Sequence, residues 1–417
     1  MEELHPRCAG IDIGKRTATV CVRIPGPNPA SRRAKERVSE TVTTWSSMSR
    51  QVLALREHLL VQKVTCVVME ATSDYWKPFF YLLEDAGFEM MLVNARHVKN
   101  VPGRKSDVND ATWLAQLGAH GLVRSSLVPP PAIRELRDLT RTRTQIGRDQ
   151  TREFQRLEKL LEGAGIKLSA VASNLGGVSS RKMLTALADG ERNPYILADL
   201  AHFTMKAKRP ALVEAMTGRF TEHHGFLVKA HLAMIDQQDR IIADLTERIE
   251  VVIEPFRSFR DLICSIPGIS TKVADVITAE TGADMTPFPT SKHLASWAGV
   301  CPGNNESAGV IKSTKTRAGN AYLKGALGIA AMSAAHTKNT YLAAKHRRIM
   351  SRRGYNRSIV ALMHDMITTI WSMAQTGEYY NDPGPDYFTR LRPERAKRRA
   401  IHQLEALGYE VVINKAG

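Results

Sequence analysis

The run CAGIDIGKRTATVCVRI, residues 8–24, decides how the N-terminal part of the chain is read. Two apolar stretches rich in β-branched residues flank Gly14 and Lys15, the pattern of two short strands joined by a turn. Working outward, TCVVME at residues 65–70 is another apolar run bounded by polar residues, consistent with a buried strand. Residues 73–85 read as an amphipathic helix closed by Gly87, and residues 89–93 as a further strand. Strand and helix alternate, which predicts an α/β domain with a mixed sheet. Val128, three successive prolines and Ala132 then form a stiff break, because proline fixes φ and removes a backbone donor. The first domain is bounded at residues 1–128.

Beyond the break the texture is helical. Ile133, Leu136, Leu139, Ile146, Phe154, Leu157 and Leu161 recur mostly at three- and four-residue steps, with Thr140, Arg143 and Gln150 interrupting the seam. A second long helix is expected over residues 222–253, with Leu227, His231, Met234, Ile241, Leu245 and Ile249 on its face. The two are read as an antiparallel coiled-coil arm filling a linker domain, residues 129–255. The Gly- and Ser-rich segment 174–180 between them shows no legible role. From Phe256 to the C-terminus, residues 256–417, a mainly α domain is expected. Within it LICSIPGISTKVA, residues 262–274, has the form of a helix-hairpin-helix, with Pro267 and Gly268 in the hairpin. Such a turn can aim backbone N–H groups at a phosphate, although a purely structural αα-turn has the same pattern.

The 417 residues carry 58 Lys and Arg against 42 Asp and Glu, a formal net charge of +16. Residues 304–403 hold 17 Lys or Arg against six Asp or Glu, and Arg390–Arg399 has six basic residues in ten. Charge this one-sided favours a nucleic-acid partner, because cations that neutralise phosphates release condensed counterions. A basic surface tuned only for solubility is the ordinary alternative. The five cysteines (Cys8, Cys21, Cys66, Cys264, Cys301) are scattered without C-x-x-C spacing and read as reduced thiols, the first three as core residues. The opening residues lack a basic-then-apolar leader, and the longest apolar stretch, 325–335, is too short for a membrane span, so a cytoplasmic protein is expected.

Four carboxylates stand out. Asp12 lies inside an apolar strand, where it faces the same way as Gly10; a carboxylate there is depleted by propensity and needs a partner if buried. Glu70 ends the strand containing Val67, Val68 and Met69. Asp107 and Asp110 fall in GRKSDVNDA, residues 103–111, and share a face if a helix begins near Ser106. Converging from two strands and a helix, they would suit hard divalent cations, which take oxygen ligands and often work in pairs in phosphoryl transfer. Singly, each has an ordinary reading: a helix N-terminal charge, a solvated face, an ion pair with Lys or Arg.

The GIDIGK opening, the VVMEAT strand end and above all GRKSDVNDA resemble the DEDD transposases of bacterial insertion sequences, whose N-terminal domain is like the RuvC resolvases. The resemblance implies an RNase H-like first domain with Asp12, Glu70, Asp107 and Asp110 as ligands of Mg²⁺, or of Mn²⁺. It also singles out Ser307. Read alone, Ser307 is one serine in a Gly-rich loop, no better than Ser265, Ser270 or Ser313. In the family, a nucleophilic serine precedes a small residue and a glycine, ahead of a basic stretch and a Gly-Asn pair. Ser307, Ala308 and Gly309, then Lys312, Lys315 and Arg317, then Gly319 and Asn320, match that order.

The resemblance spans nearly the whole chain and implies a recombinase that links serine covalently to DNA. It further implies donor and target duplex DNA and a structured noncoding bridge RNA as partners. Assembly is expected as a homodimer or homotetramer in which the carboxylates of one subunit serve the serine of another. Lys105, Gly268, Lys312, Lys315, Arg317 and Lys324 are the expected nucleic-acid contacts. Two other functions remain open at this stage: a hydrolytic RuvC-like nuclease with a passive Ser307, and a scaffold that only binds.

Overall fold

The computed structural model describes residues 3–26, 38–71, 73–94, 98, 110–303 and 305–413. These divide into two compact units, residues 1–128 and 129–417.

The first unit is a five-stranded mixed sheet flanked by helices. Strands β1 (Cys8–Ile13), β2 (Thr17–Pro25) and β3 (Val38–Ser46) form an antiparallel meander. The turn expected at Gly14 closes β1 onto β2, with the Gly14 amide donating to the Thr17 carbonyl at 2.9 Å. Helix α1 (Ser49–Val61) crosses to β4 (Cys66–Glu70), which pairs in parallel with β1, and α2 (Trp76–Leu83) leads to β5 (Glu89–Val93), parallel to β4. The order β3-β2-β1-β4-β5 puts β1 at the centre and fits an RNase H-like domain. Sequence reading missed β3 and α1. The strand VSETVTTWS alternates small polar and β-branched residues, is mostly exposed, and so lacks the apolar signature of a core strand.

Each face of the sheet has its own core. Ile11, Val20, Val67 and Met69 pack with Leu55, Leu59 and Phe79 of α1 and α2. Cys8, Cys66 and Val68 pack on the other face with Leu114 and Leu117 of α3 (Asp110–Ala119). Cys8, Cys21 and Cys66 are buried, and all five cysteines are free thiols.

The second unit is almost wholly helical. Its spine is α4 (Pro131–Gly163) packed along α5 (Glu222–Val252). Arg143 reaches Thr246, Gln150 reaches Asp239 at 2.6 Å and Glu153 reaches His231 at 2.5 Å, so the two helices run antiparallel. The sequence seam needs correcting. Thr140 and Arg143 do not interrupt the packed face of α4 but are buried in it. On the first half of α5 the buried positions are Val228, Leu232 and Ile235, one residue on from the expected Leu227, His231 and Met234. Several short helices between residues 168 and 215 close the end of the pair around Leu157, Met183, Leu184, Leu197 and Leu212.

After α5 come α6 (Arg257–Cys264) and α7 (Thr271–Thr281), joined by the Pro267–Gly268 turn. Then follow the hairpin β6 (Asn305–Ser307) and β7 (Val310–Ser313), and α8 (Ala321–His336), α9 (Tyr341–Arg353) and α10 (Tyr355–Thr376). The basic tail contributes α11 (Pro393–Glu405), which has no buried residue. Among the described residues no helix is long and apolar enough to cross a membrane.

The buried seam of α4 is polar because it meets carboxylates on α7. Arg143 pairs with Asp275 at 2.8 Å, and Arg141 holds Glu280 through two bonds of 2.7 and 2.8 Å. Asp275 and Glu280 are 1% and 0% exposed. Arg260 of α6 adds a second cation 3.6 Å from Asp275. Removing one partner of such a pair strands a buried charge. Arg143→Met should therefore destabilise this unit by about 3–5 kcal/mol, read as a lower urea midpoint with an unchanged slope; an unaltered midpoint would show that Asp275 is adequately held without Arg143.

Candidate active site

The carboxylates are placed by the central strand. Gly10 and Asp12 lie on one face of β1, as alternation requires, and that face meets α3. A methyl group at Gly10 would sit 2.1 Å from the Ala111 carbonyl oxygen and 2.4 Å from the Ala115 amide nitrogen. Only glycine lets the first turn of α3 press onto the strand backbone. Asp110 is the first described residue of that helix. In β4, Ile11 of β1 lies beside Met69, and continuing this register one step sets Glu70 alongside Asp12. Val68, two residues before Glu70, packs against Gly118 of α3, so Glu70 shares the α3 face. Asp12 and Glu70 are half-buried and Asp110 is exposed.

Burial pushes the Asp12 carboxyl above the usual carboxylate range, and the charge of Asp110 pushes it the same way. Two carboxylates that repel in a partly dehydrated corner favour a cation between them. The donors are all oxygen, which suits a hard divalent ion. Among the described residues, however, no three Asp, Glu, His or Cys side chains form a group able to hold a metal. Asp107 and Lys105 lie outside the described residues, as does the start expected near Ser106; the described helix begins at Asp110.

Ser307 lies not in an open loop but at the turn of a β-hairpin. It pairs with Val310, and the two residues between, Ala308 and Gly309, have φ of +52° and +76°. Positive φ at both central positions is the type I′ pattern, whose twist matches that of the flanking strands. Ser307, Lys312, Lys315 and Arg317 are exposed. Lys324, on α8, is half-buried and donates to the Thr316 hydroxyl at 2.8 Å. Gly268 has a packing role of its own: at φ +92° it abuts α8, where a methyl group would stand 2.4 Å from the Ala330 carbonyl oxygen.

Residues 9–166 match a family model described as "Transposase", of the DEDD IS110 type, and residues 260–348 match the transposase IS116/IS110/IS902 family. The first match holds Asp12, Glu70, Asp107 and Asp110; the second holds Ser307 and its basic neighbours. The chain belongs to the IS110 family of DEDD transposases. It is 25% identical to the transposase for insertion sequence element IS1111A of Coxiella burnetii, over 89% of this chain and 90% of the relative. It is 27% identical to an uncharacterized 42 kDa protein of insertion element IS900 of Mycobacterium paratuberculosis, over 90% and 98%. An uncharacterized 43.6 kDa protein of insertion element IS110 of Streptomyces coelicolor is 25% identical over 68% and 74%.

Sequence reading of this transposase missed the buried carboxylates Asp275 and Glu280. Like Asp12, they are carboxylates set in an apolar element, VADVITAET, where burial demands a partner.

Two outcomes follow. The raised carboxyl of Asp12 means that the folded state holds this proton more tightly than the unfolded chain, whose value is 3.8. Its stabilising contribution is full below that value and disappears as pH rises through the folded pKa. Asp12→Asn should remove this component from the pH profile of urea unfolding of the metal-free transposase and raise its stability at neutral pH. Separately, Ala308→Asn creates the Asn-Gly pair favoured in type I′ turns and should slow amide exchange across β6 and β7, with a gain of about 0.5–1 kcal/mol.

Proposed function

We propose that this transposase cuts and rejoins DNA through Ser307, with Asp12, Glu70, Asp107 and Asp110 as the ligands of Mg²⁺. The observation that carries the reading is the placement of Ser307: exposed at the turn of a hairpin, followed by Lys312, Lys315 and Arg317, inside the segment that matches the family. A hydroxyl held there is accessible to a backbone phosphate, and the cations beside it would neutralise the phosphate's charge.

In the proposed step the Ser307 Oγ attacks phosphorus, forming an Oγ–P bond, while the bond from phosphorus to one deoxyribose oxygen breaks. The hydroxyl proton leaves to a base and the departing oxygen is protonated, so the diester is conserved as phosphoserine. Attack on that phosphoserine by a different deoxyribose oxygen rejoins the strand and frees the serine. Bound Mg²⁺ would polarise phosphate oxygens and lower the barrier to proton loss. Lys312, Lys315, Arg317 and Lys324 orient the backbone, with Lys105 and the Gly268 turn as further contacts.

Sequence choice would fall to base pairing by a structured bridge RNA with donor and target DNA, leaving the protein to hold backbone and shape. The net charge of +16 supports such a partner set. Assembly as a dimer or tetramer would let the carboxylates and Ser307 of different subunits cooperate, in the cytoplasm where the element's DNA lies.

The test is to incubate the full chain, with any co-purifying RNA, in Mg²⁺ with duplex DNA from the element's ends. A detergent-stable protein–DNA adduct is expected, absent in both Ser307→Ala and Asp12→Ala. Cut ends without an adduct would instead mark a hydrolytic nuclease, and RNA-replete binding without breakage a scaffold.

A further inference from the structure

The segment that carries Ser307 leaves and re-enters the helical unit through a pinched neck. Gly299 and Gly319 meet backbone to backbone: a methyl group at Gly319 would lie 2.4 Å from the Gly299 amide nitrogen. Next to the pinch, the Asn320 amide donates to the Trp297 carbonyl at 3.1 Å. Further out, Pro302 bridges Thr316, and the Gly303 amide donates to the Lys315 carbonyl at 3.0 Å. The two chains of the segment are thus tied from neck to hairpin.

One buried group holds the neck to the rest of the unit. The Asn320 side chain works in two directions. Its Oδ1 accepts from the Tyr322 and Leu323 amides, capping α8, and its Nδ2 donates to the Glu280 carboxylate at 2.6 Å. Glu280 is fully buried on α7, and its two oxygens also take both bonds from Arg141 of α4, with Arg137 at 3.3 Å. Arg141 in turn lies 4.9 Å from the centre of the Tyr322 ring. A carboxylate shared in this way has no rotational freedom, and nor does the amide it grips.

We propose that Glu280 is a positioning residue: through Asn320 it fixes the neck of the Ser307 segment against α4 and so sets where the serine and its cations are presented. This rests on the reading of Ser307 as nucleophile for its link to activity, but the geometric claim is independent of it.

A donor–acceptor exchange tests it. Asn320→Asp keeps a good helix cap but sets a carboxylate against that of Glu280. Adding Glu280→Gln restores the original charge and sets an amide donor against the new carboxylate, while giving up the Arg141 bond to that same oxygen. In the full chain with its co-purifying RNA, Mg²⁺ and element-end duplex, N320D should slow adduct formation about 10–100-fold, the scale of a displaced reacting group, with DNA affinity little changed. Amide exchange over residues 299–320 should quicken while circular dichroism stays helical. The double variant should recover both in part. Wild-type behaviour of N320D in both measurements would overturn the proposal. Ser307→Ala run alongside separates the two claims. If it still forms adducts, the nucleophile reading fails while the exchange measurement still decides the role of Glu280.

Discussion

The second unit depends on a set of charges taken out of water. Arg141 and Arg143 of α4 project onto a helix, α7, whose nine residues from Val273 to Thr281 are all buried, and they meet Asp275 and Glu280 there. Ion pairs in such surroundings add little net stability over apolar packing, because both partners lose hydration. What they enforce is register. Sliding α4 by one turn would part Arg143 from Asp275 in the interior, a penalty that apolar seams do not impose. That is why a 33-residue helix with so few apolar residues on its face docks in one position.

The first unit is ordered by the opposite means. Gly10 lets α3 close on β1 by offering no side chain where the helix backbone must pass. The same contact brings the first described residue of α3 toward Asp12, whose carboxyl is pushed up first by burial and then by the charge of Asp110. Fold and electrostatics are one constraint here: what admits the helix also brings Asp110 within electrostatic reach of Asp12.

Ser307 combines the two modes. Its hairpin turn stores a small conformational strain in Ala308, a non-glycine residue in the left-handed region. Its base is a close backbone contact of Gly319 on Gly299, nearly as close as that of Gly10 on α3, and its tether is a buried charge of the kind that organises α4. An exposed hydroxyl on a two-stranded projection gains orientation only through such anchoring at the root.

Periodicity and composition were enough to reveal the β1–β2 hairpin, β4, β5, the long helices and the break at the prolines, because each is a local pattern that burial repeats along the chain. They also marked Asp12, since a carboxylate in an apolar strand is conspicuous wherever the strand ends up. Family resemblance, rather than residue chemistry, separated Ser307 from Ser265, Ser270 and Ser313. Only the tertiary structure decided that Thr140 and Arg143 are interior, that α5 packs through Val228, Leu232 and Ile235, that β3 joins the sheet, and that Asn320 answers to Glu280. The physical reason is that a polar residue has the same local signature whether it meets water or a buried partner. Which it meets depends on helices 40 to 132 residues away along the chain, and only folding brings them near.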